Sequence, residues 1–558
     1  MDDAPAGTRS EAGDIRRGFR DKLILMPILI RNIVLAPGEG DEVLRVRLAE
    51  RFGVPDRDIR SVRLVRKSID ARRKGRVIVV CTVECRVADE AAFLARHGQD
   101  PDVKVLVKEI QPPLPRLTPR GRIVIVGMGP AGLFAALRLV EYGLAPTILE
   151  RGRPVEERTR DVQAFWSLGE LDTESNVQFG EGGAGTFSDG KLTTRVNDQR
   201  IGYVLEKLVA FGAPQEILYQ AKPHVGTDQL RQVVAGIRQG LLAAGCDIRF
   251  RSRMTDIVSR EGRVGAVVVN GTEEMTVDEL ILAPGHSARD TYEMLARRGV
   301  HLLAKPFAMG VRVEHPQALI NGIQYGRGHH PALPPSDYAL AYNNRKTGRS
   351  AYSFCMCPGG VVVGGSSEEG GVVTNGMSAH LRNSPFANSA LVVTVGPDDF
   401  GSALPLAGVE FQRRWERRAF EAGGGGYRAP AQNLLSFLGM KGGKGVSSSY
   451  RPGVAEADLT MALPAAVTET LREGLRDFDR KMRGFVTAEA TLTGVETRTS
   501  APVRIVRGED CQSVSLPGLY PTGEGAGYAG GIMSAALDGI RVADIIAGKI
   551  AAETRSAI

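Results

Sequence analysis

The sequence predicts an α/β protein: a parallel sheet covered on both faces, a small α+β unit ahead of it, and a second α+β segment inserted into it. Three stretches predict this. They are the glycine-punctuated run 121–152, a buried strand ending in a glycine turn at 280–286, and a strand and glycine turn at 518–531 that leads into the last helix. Strands that return to one sheet through helices and end in tight glycine turns belong to parallel α/β architecture.

The first stretch reads as strand Ile123–Val126, a glycine turn, an apolar helix Ala131–Tyr142 and a second strand ending at Glu150. Gly127 permits the sharp turn, Gly129 lets backbone approach a pyrophosphate, and Gly132 lets the helix pack close to the strand. A phosphate then sits on the unpaired N–H groups of the helix N-terminus. Glu150, 18 residues after Gly132, is placed to accept hydrogen bonds from an adenosine ribose. A glycine-rich turn without ligand is the alternative, but the flanking strand, helix and acid argue for a dinucleotide.

At 558 residues the chain is long enough for about three or four domains. With 43% hydrophobic and 24% charged residues it has a globular composition, and its 67 glycines concentrate in a few loops, as backbone-mediated ligand contact requires. No uninterrupted apolar run reaches the ~18 residues of a membrane helix. The first 20 residues lack an apolar core and hold four acidic residues, so they are expected to be a disordered tail rather than a signal or transit peptide. The six cysteines (Cys81, Cys85, Cys246, Cys355, Cys357, Cys511) are too scattered for a disulfide framework, and none cluster at zinc spacing. A reducing cytoplasm is expected.

Residues 21–112 read as a separate βαββαβ unit of ferredoxin-like type: a strand from Leu23 to Val34, a helix near 42–52, a strand pair 61–68 and 76–87, a helix 88–97 and a strand 103–107. Between Arg57 and Arg76 there are nine basic and two acidic residues, and over 21–116 the counts are 19 and 14. That basic face raises the question of RNA. However, such a sheet reads bases through strand aromatics, and here the only aromatics, Phe52 and Phe93, fall in the expected helices. A docking or dimerisation module with a solvated basic hairpin is the preferred reading, so homo-oligomers are allowed and nucleic acid is disfavoured. A proline-rich linker, 112–120, follows.

Beyond Arg151, a charged helix leads to 176–191, with five glycines between Gly180 and Gly190 followed by Lys191. Such a loop lets a flat ligand lie against backbone; a flexible surface loop is the alternative. A helix 227–244, with Asp228 as its cap, precedes a β-meander and the strand that ends at Pro284-Gly285-His286. Residues 303–483 are expected to form the inserted domain, with 121–302 and 484–558 making the nucleotide-binding domain. In the last stretch Gly523 and Glu524 precede a helix that starts near Gly531-Ile532 and runs to Ile546. The three approaches together point to FAD.

These motifs resemble flavoproteins of the glutathione-reductase and hydroxylase type. The strings NVQFGEGGAGTFSDGKL (176–192), ILAPGHSARDTYEML (281–295), KPFAMGVRVEHPQ (305–317), YSFCMCPGG (352–360) and EEGGVVTNGMS (368–378) are similar to a large family of soluble bacterial and plastid FAD-dependent dehydrogenases. The resemblance spans about 22–548 and implies a Rossmann-like FAD-binding domain with an inserted α+β substrate or cap domain. It implies that Gly127, Gly129, Pro130, Ala131 and Gly132 cradle the FAD pyrophosphate, that Glu150 holds the ribose, and that Arg151 and the Met254 backbone lie at the adenine. Gly190, Gly285 and Gly523 are implied to approach the cofactor as well. Glu524 stands where such proteins usually carry an aspartate. The N–H groups of Gly531 and Ile532 are implied to face the flavin pyrimidine carbonyl, and Lys191 is a candidate for the same task.

FAD carries the redox chemistry while the protein orients it. The expected function is a dehydrogenase or reductase that moves a hydride or electrons between flavin N5 and a small organic substrate. Without a second dinucleotide fingerprint, NAD(P)H is expected at most as a transiently docking reductant. Cys355 and Cys357 are a candidate thiol pair, against the alternative of two buried residues packed beside the flavin. His286 and His315, on loops after strands, are candidate proton donors. The rival functions are a nucleoside-modifying, RNA-associated flavoprotein and a flavin-binding protein without turnover.

Overall fold

The structure, a computed structural model, describes residues 27–106, 113–443 and 445–556. The expected tail, the strand residues before Pro27, and Val107 and Pro112 lie outside these ranges. The described chain divides into two units, residues 27–70 with 78–106, and residues 71–77 with 113–556.

In the first unit, strand Ile28–Leu35, helix Val43–Phe52, hairpin Ile59–Asp70 and Ile78–Val87, helix Glu90–His97 and strand Val103–Val105 follow in βαββαβ order. The four strands pair antiparallel, with 78–87 and 28–35 in the centre. Alternate residues Cys81, Val83 and Cys85 are buried with Leu44, Leu48, Phe52 and Phe93, as the two-residue period of a one-sided sheet demands. The Phe52 and Phe93 rings meet at 5.2 Å inside that core. They therefore hold helices to the sheet and are not available for base stacking.

The second unit is organised on a five-stranded parallel sheet in the order 519–521, 279–282, 123–126, 147–149, 247–249. Its central strands are buried on both faces. Ile123 and Ile125 face a core shared with helices Pro130–Glu141 and Thr227–Ala243 and the C-terminal helix Ile532–Ser556. Val124 and Val126 face a second core shared with the antiparallel meander 254–260, 263–269, 273–276. The final helix runs about ten residues beyond its expected end at Ile546, because Ile546, Ala547 and Ile550 continue the buried stripe.

The inserted segment builds a seven-stranded sheet in the order 341–343, 350–357, 386–395, 307–316, 491–496, 429–433, 454–456. Strand Thr491–Glu496 therefore belongs to this sheet although it lies beyond the expected boundary at 483, because it pairs directly with Phe307–Pro316. Helices Ala407–Ala422 and Ala465–Lys481 close its core. A buried ion network ties the insertion to the strand-end turn at Gly285. Arg289 is 1% exposed and donates to both oxygens of Glu416 at 2.7 and 2.9 Å, and Arg498 donates to the same carboxylate at 3.0 and 3.1 Å. Both cations hold Glu416 well below the usual carboxylate range despite its burial. No helix among the described residues is long and apolar enough to cross a membrane.

Candidate nucleotide and redox site

The three strand-end turns converge at one edge of the parallel sheet. Gly127 has φ +99, and a Cβ there would fall on the Ala283 carbonyl oxygen. A Cβ at Gly132 would fall on the carbonyl of Gly127, and one at Gly525 would press on the backbone of Gly285 at 2.5 Å. A Cβ at Gly523 would meet that of Ala131 at 2.7 Å. Each of these glycines is required by protein against protein.

Gly129 is different. Its φ and ψ, −80° and −176°, suit any residue, and a Cβ there would meet nothing nearer than 3.8 Å. Gly530 likewise has no heavy atom within 4 Å of an added Cβ; Gly285 and Gly531 also face open space, but their φ of +80 and +97 call for glycine by themselves. Open space beside glycines at a helix N-terminus fits a pyrophosphate, and this is the observation on which the residues present fit FAD. Pro130 opens the helix, so its missing N–H costs nothing there.

Glu150 holds this edge together. Its carboxylate, 4% exposed, accepts Met128 N–H at 2.8 Å, Gly152 N–H at 2.9 Å and Gly180 N–H at 3.0 Å. A carboxylate offers roughly four acceptor sites, so three are already in use and one remains for a ribose hydroxyl. The expected ribose ligand is thus first a tie between three loops. Arg251 and Ser252 N–H groups donate to the carbonyls of Gly152 and Glu150, which brings the Met254 chain alongside. Arg151 donates bidentately to Asp290 and to Glu174, with the Phe179 ring 4.1 Å from its guanidinium carbon. Its donors are committed to carboxylates, so what it offers an adenine is a flat face.

The 176–192 loop is not a flexible surface loop. Asn176 to Gly182 are buried, and Arg158, 0% exposed, donates to the carbonyls of Asn176, Val177, Gly180 and Glu181. Burial pushes this guanidinium down to about 10, still charged at neutral pH. Gly182 N–H donates to Met128 O at 2.8 Å, and a Cβ at Gly185 would touch Ile532 at 3.1 Å, so the loop spans from the Gly127–Gly132 turn to the last helix. Arg158 was invisible in the sequence: a lone arginine in a charged helix carries no signal. Asp228 is not a helix cap either; the cap position is Gly226, and Asp228 accepts His380 N–H at 2.7 Å.

A second cluster lies where the inserted sheet meets this edge. Lys191 Nζ is 3.8 Å from Asp189, which is 1% exposed and doubly bonded by Arg382. Gly190 packs on Gly226 and Leu230. Cys355 is partly exposed and Cys357 fully buried, which corrects the expectation of two buried residues. The hydrogen bond from Cys357, with Lys191 and Arg312 nearby, holds the Cys355 thiol below the ordinary thiol range. Cys357 is pushed up. Glu524 lies within electrostatic reach of Cys355 and of Lys305, which burial lowers; burial pushes Glu524 itself up to about 7. Gly531 N–H is turned toward Glu524 at 3.4 Å, leaving the Ile532 end of the helix open.

The two histidines do not join this cluster. His286 sits with Ser287, and burial beside Arg498 and Arg289 pushes it down to about 3, so it is a neutral imidazole rather than an acid. His315 lies within strand Phe307–Pro316, not on a loop; its Nε2 meets Phe485 O at 2.8 Å and burial lowers it to about 4. It is a core residue. No group of three or more histidine, cysteine, aspartate or glutamate side chains suited to a metal occurs among the described residues.

Three outcomes follow. Gly129→Ala should leave unfolding stability within about 0.5 kcal/mol while abolishing FAD retention, whereas Gly127→Ala should cost at least about 1–3 kcal/mol; urea unfolding and flavin absorbance separate the two. Glu150→Ala leaves three buried N–H groups without acceptor, each costing about 1–3 kcal/mol, and should unfold at much lower urea. Glu524 takes up a proton on folding, so wild type should lose stability relative to Glu524→Gln as pH rises from its ordinary 4.5 to about 7, with a flat difference above; paired thermal melts across that range read the slope.

Comparison with known proteins agrees with a flavoprotein. Residues 306–499 match the family described as FAD-dependent protein, C-terminal domain-like, and 26–86 match a domain of unknown function. An uncharacterised protein of Clostridium beijerinckii is 48% identical over 529 residues, covering 93% of this chain and 98% of that protein. Among solved structures, the flavin-dependent brominase Bmp2 is similar at TM-score 0.34 and 14% identity, over 77% of this chain and 79% of that one. A geranylgeranyl bacteriochlorophyll reductase-like protein from Thermoplasma acidophilum is similar at 0.32 and 14%, over 78% and 79%. The chain belongs to the family of the Clostridium beijerinckii protein and carries, over 306–499, the C-terminal domain-like module of FAD-dependent proteins.

Proposed function

We propose that this chain is an FAD-dependent oxidoreductase, a dehydrogenase or reductase acting on a small organic substrate admitted beside the inserted sheet. Bound FAD would supply hydride or electron transfer at N5. The observation that carries the reading is the open approach at Gly129, a glycine that neither its φ and ψ nor any protein contact requires.

The chain's own residues then have separable tasks. The N-terminal N–H groups of helix Pro130–Glu141 bind the pyrophosphate, and Glu150 offers its remaining acceptor site to the ribose. Gly285, which faces open space, lines the path between the two ends, while Gly190 and Gly523 shape it from behind by packing on Leu230 and Ala131. The N-terminus of helix Ile532–Ser556 and the Lys191 ammonium stabilise negative charge at the pyrimidine end. Glu524, balanced near neutrality, holds or releases a proton beside the same end. NAD(P)H is a candidate reductant that docks transiently.

Anaerobic titration of the yellow protein with NADH, NADPH and fractionated cell extract tests this. Bleaching of the flavin absorbance by a nicotinamide or by one extract fraction is the expected result. An absorbance unchanged by all of them would overturn the reading in favour of a flavin-binding protein without turnover.

A further inference from the structure

We propose that the cavity beside the turn 71–77 is a binding site for a small organic phosphate monoester, separate from the nucleotide site and independent of it. Apolar side chains take the body of that ligand, and a rim of lysine and arginine takes its phosphate.

The cavity lies within the second unit and holds about 410 Å³, inside the roughly 300–1,000 Å³ of small-molecule sites. Ile323, Leu340 and the buried Tyr338 and Met482 give it an apolar wall. Tyr338 and Met482 belong to the core of the inserted segment, which holds no residue of the three strand-end turns. Two polar groups are open on the same wall. Gln324 spends its Nε2 on Asp337 O at 2.9 Å, which leaves its carbonyl oxygen as an acceptor. Ala341 begins the edge strand of the seven-stranded sheet, and its carbonyl accepts from Lys481. Its backbone therefore faces away from the neighbouring strand, and its N–H is a donor on that side.

The rim carries the charge. Arg73, Lys74 and Arg76 are exposed and have no carboxylate partner among the described residues, and Lys74 lines the cavity itself. The turn that bears them is fixed. Gly75, at φ +78, donates its N–H to Tyr325 O at 3.0 Å, and Arg76 N–H donates to Arg73 O at 3.0 Å. The first of these bonds caps the C-terminal end of helix Gln317–Tyr325. A Cβ at Gly326 would meet Gly75 N at 3.2 Å, so Arg327, likewise exposed and without a carboxylate, stands next to the turn. Lys481 is not counted here, because Asp477 at 2.7 Å and the Ala341 carbonyl commit it.

Cations collected at one turn repel one another, and a bound dianion replaces that repulsion with attraction. A phosphate monoester carries about −1.5 to −2 at neutral pH and three strong acceptor oxygens. A carboxylate brings a single charge, and inorganic phosphate has nothing to place on the apolar wall. The combination of wall and rim selects the monoester.

The test is calorimetric titration of the full-length protein, with FAD added to saturation and phenyl phosphate as the probe. Phenyl phosphate should bind at least about tenfold tighter than inorganic phosphate, which lacks the ring, and than benzenesulfonate, which carries one charge. Lys74→Gln combined with Arg73→Gln should weaken it at least about tenfold, while Arg414→Gln, at an exposed arginine of helix Ala407–Ala422, should leave it unchanged. Ala339→Trp, at an exposed position on the cavity, should remove the advantage of phenyl phosphate over inorganic phosphate. Thermal melts check that each variant is folded. No binding of phenyl phosphate at millimolar concentration overturns the proposal, as do equal affinities for the three probes or an equal loss in Arg414→Gln. An RNA oligonucleotide that binds through the same cations and outcompetes phenyl phosphate, with Ala339→Trp without effect, assigns the rim to nucleic acid and overturns it too.

Discussion

The structure depends on one buried carboxylate. Glu150 gathers N–H groups from the Gly127–Gly132 turn, from the segment after its own strand and from the 176–192 loop. These segments come from separate parts of the chain, and their donors would otherwise be buried without acceptors. A single anion satisfies them at once, which is cheaper than three separate side chains and leaves the surface of the cradle smooth.

Buried cations complete the scaffold. Arg158 closes the same loop from beneath by donating to four carbonyls, and it needs no carboxylate in direct contact because backbone dipoles surround it. On the other flank Arg289 and Arg498 share Glu416, joining the helix that follows the Gly285 turn to the inserted segment. Arg312 with Glu496 does the same within the inserted sheet, and its guanidinium also reaches Cys355 O at 3.3 Å. Charged pairs of this kind contribute little net stability after desolvation, but each fixes where a loop must sit. One end of the site is positioned by buried charges on backbone groups and the other by ion pairs.

The electrostatics around Cys355 and Glu524 follow from where those charges lie. The hydrogen bond from Cys357, and then the nearby cations, favour the Cys355 thiolate, whereas burial shifts Glu524, with one weak N–H donor, toward its neutral form. His286, a residue type that usually titrates near neutrality, is silenced by two arginines and burial.

The sequence by itself determined what is local. A strand, a glycine turn and a helix N-terminus need only neighbouring residues, so the cradle at 127–132, the turns at 285 and 523, the meander and the βαββαβ order were all legible. Gly127 and Gly132 could be read because their constraint is a backbone one a few residues long. Only the tertiary structure decided what depends on partners far along the chain. Those are the three donors on Glu150, the carbonyls around Arg158, the carboxylates that absorb Arg151, the unequal burial of Cys355 and Cys357, and the strand 491–496 that extends the insertion. Hydrogen-bond satisfaction and desolvation are properties of the assembled interior, and a buried group's chemistry is set by whatever the fold packs around it.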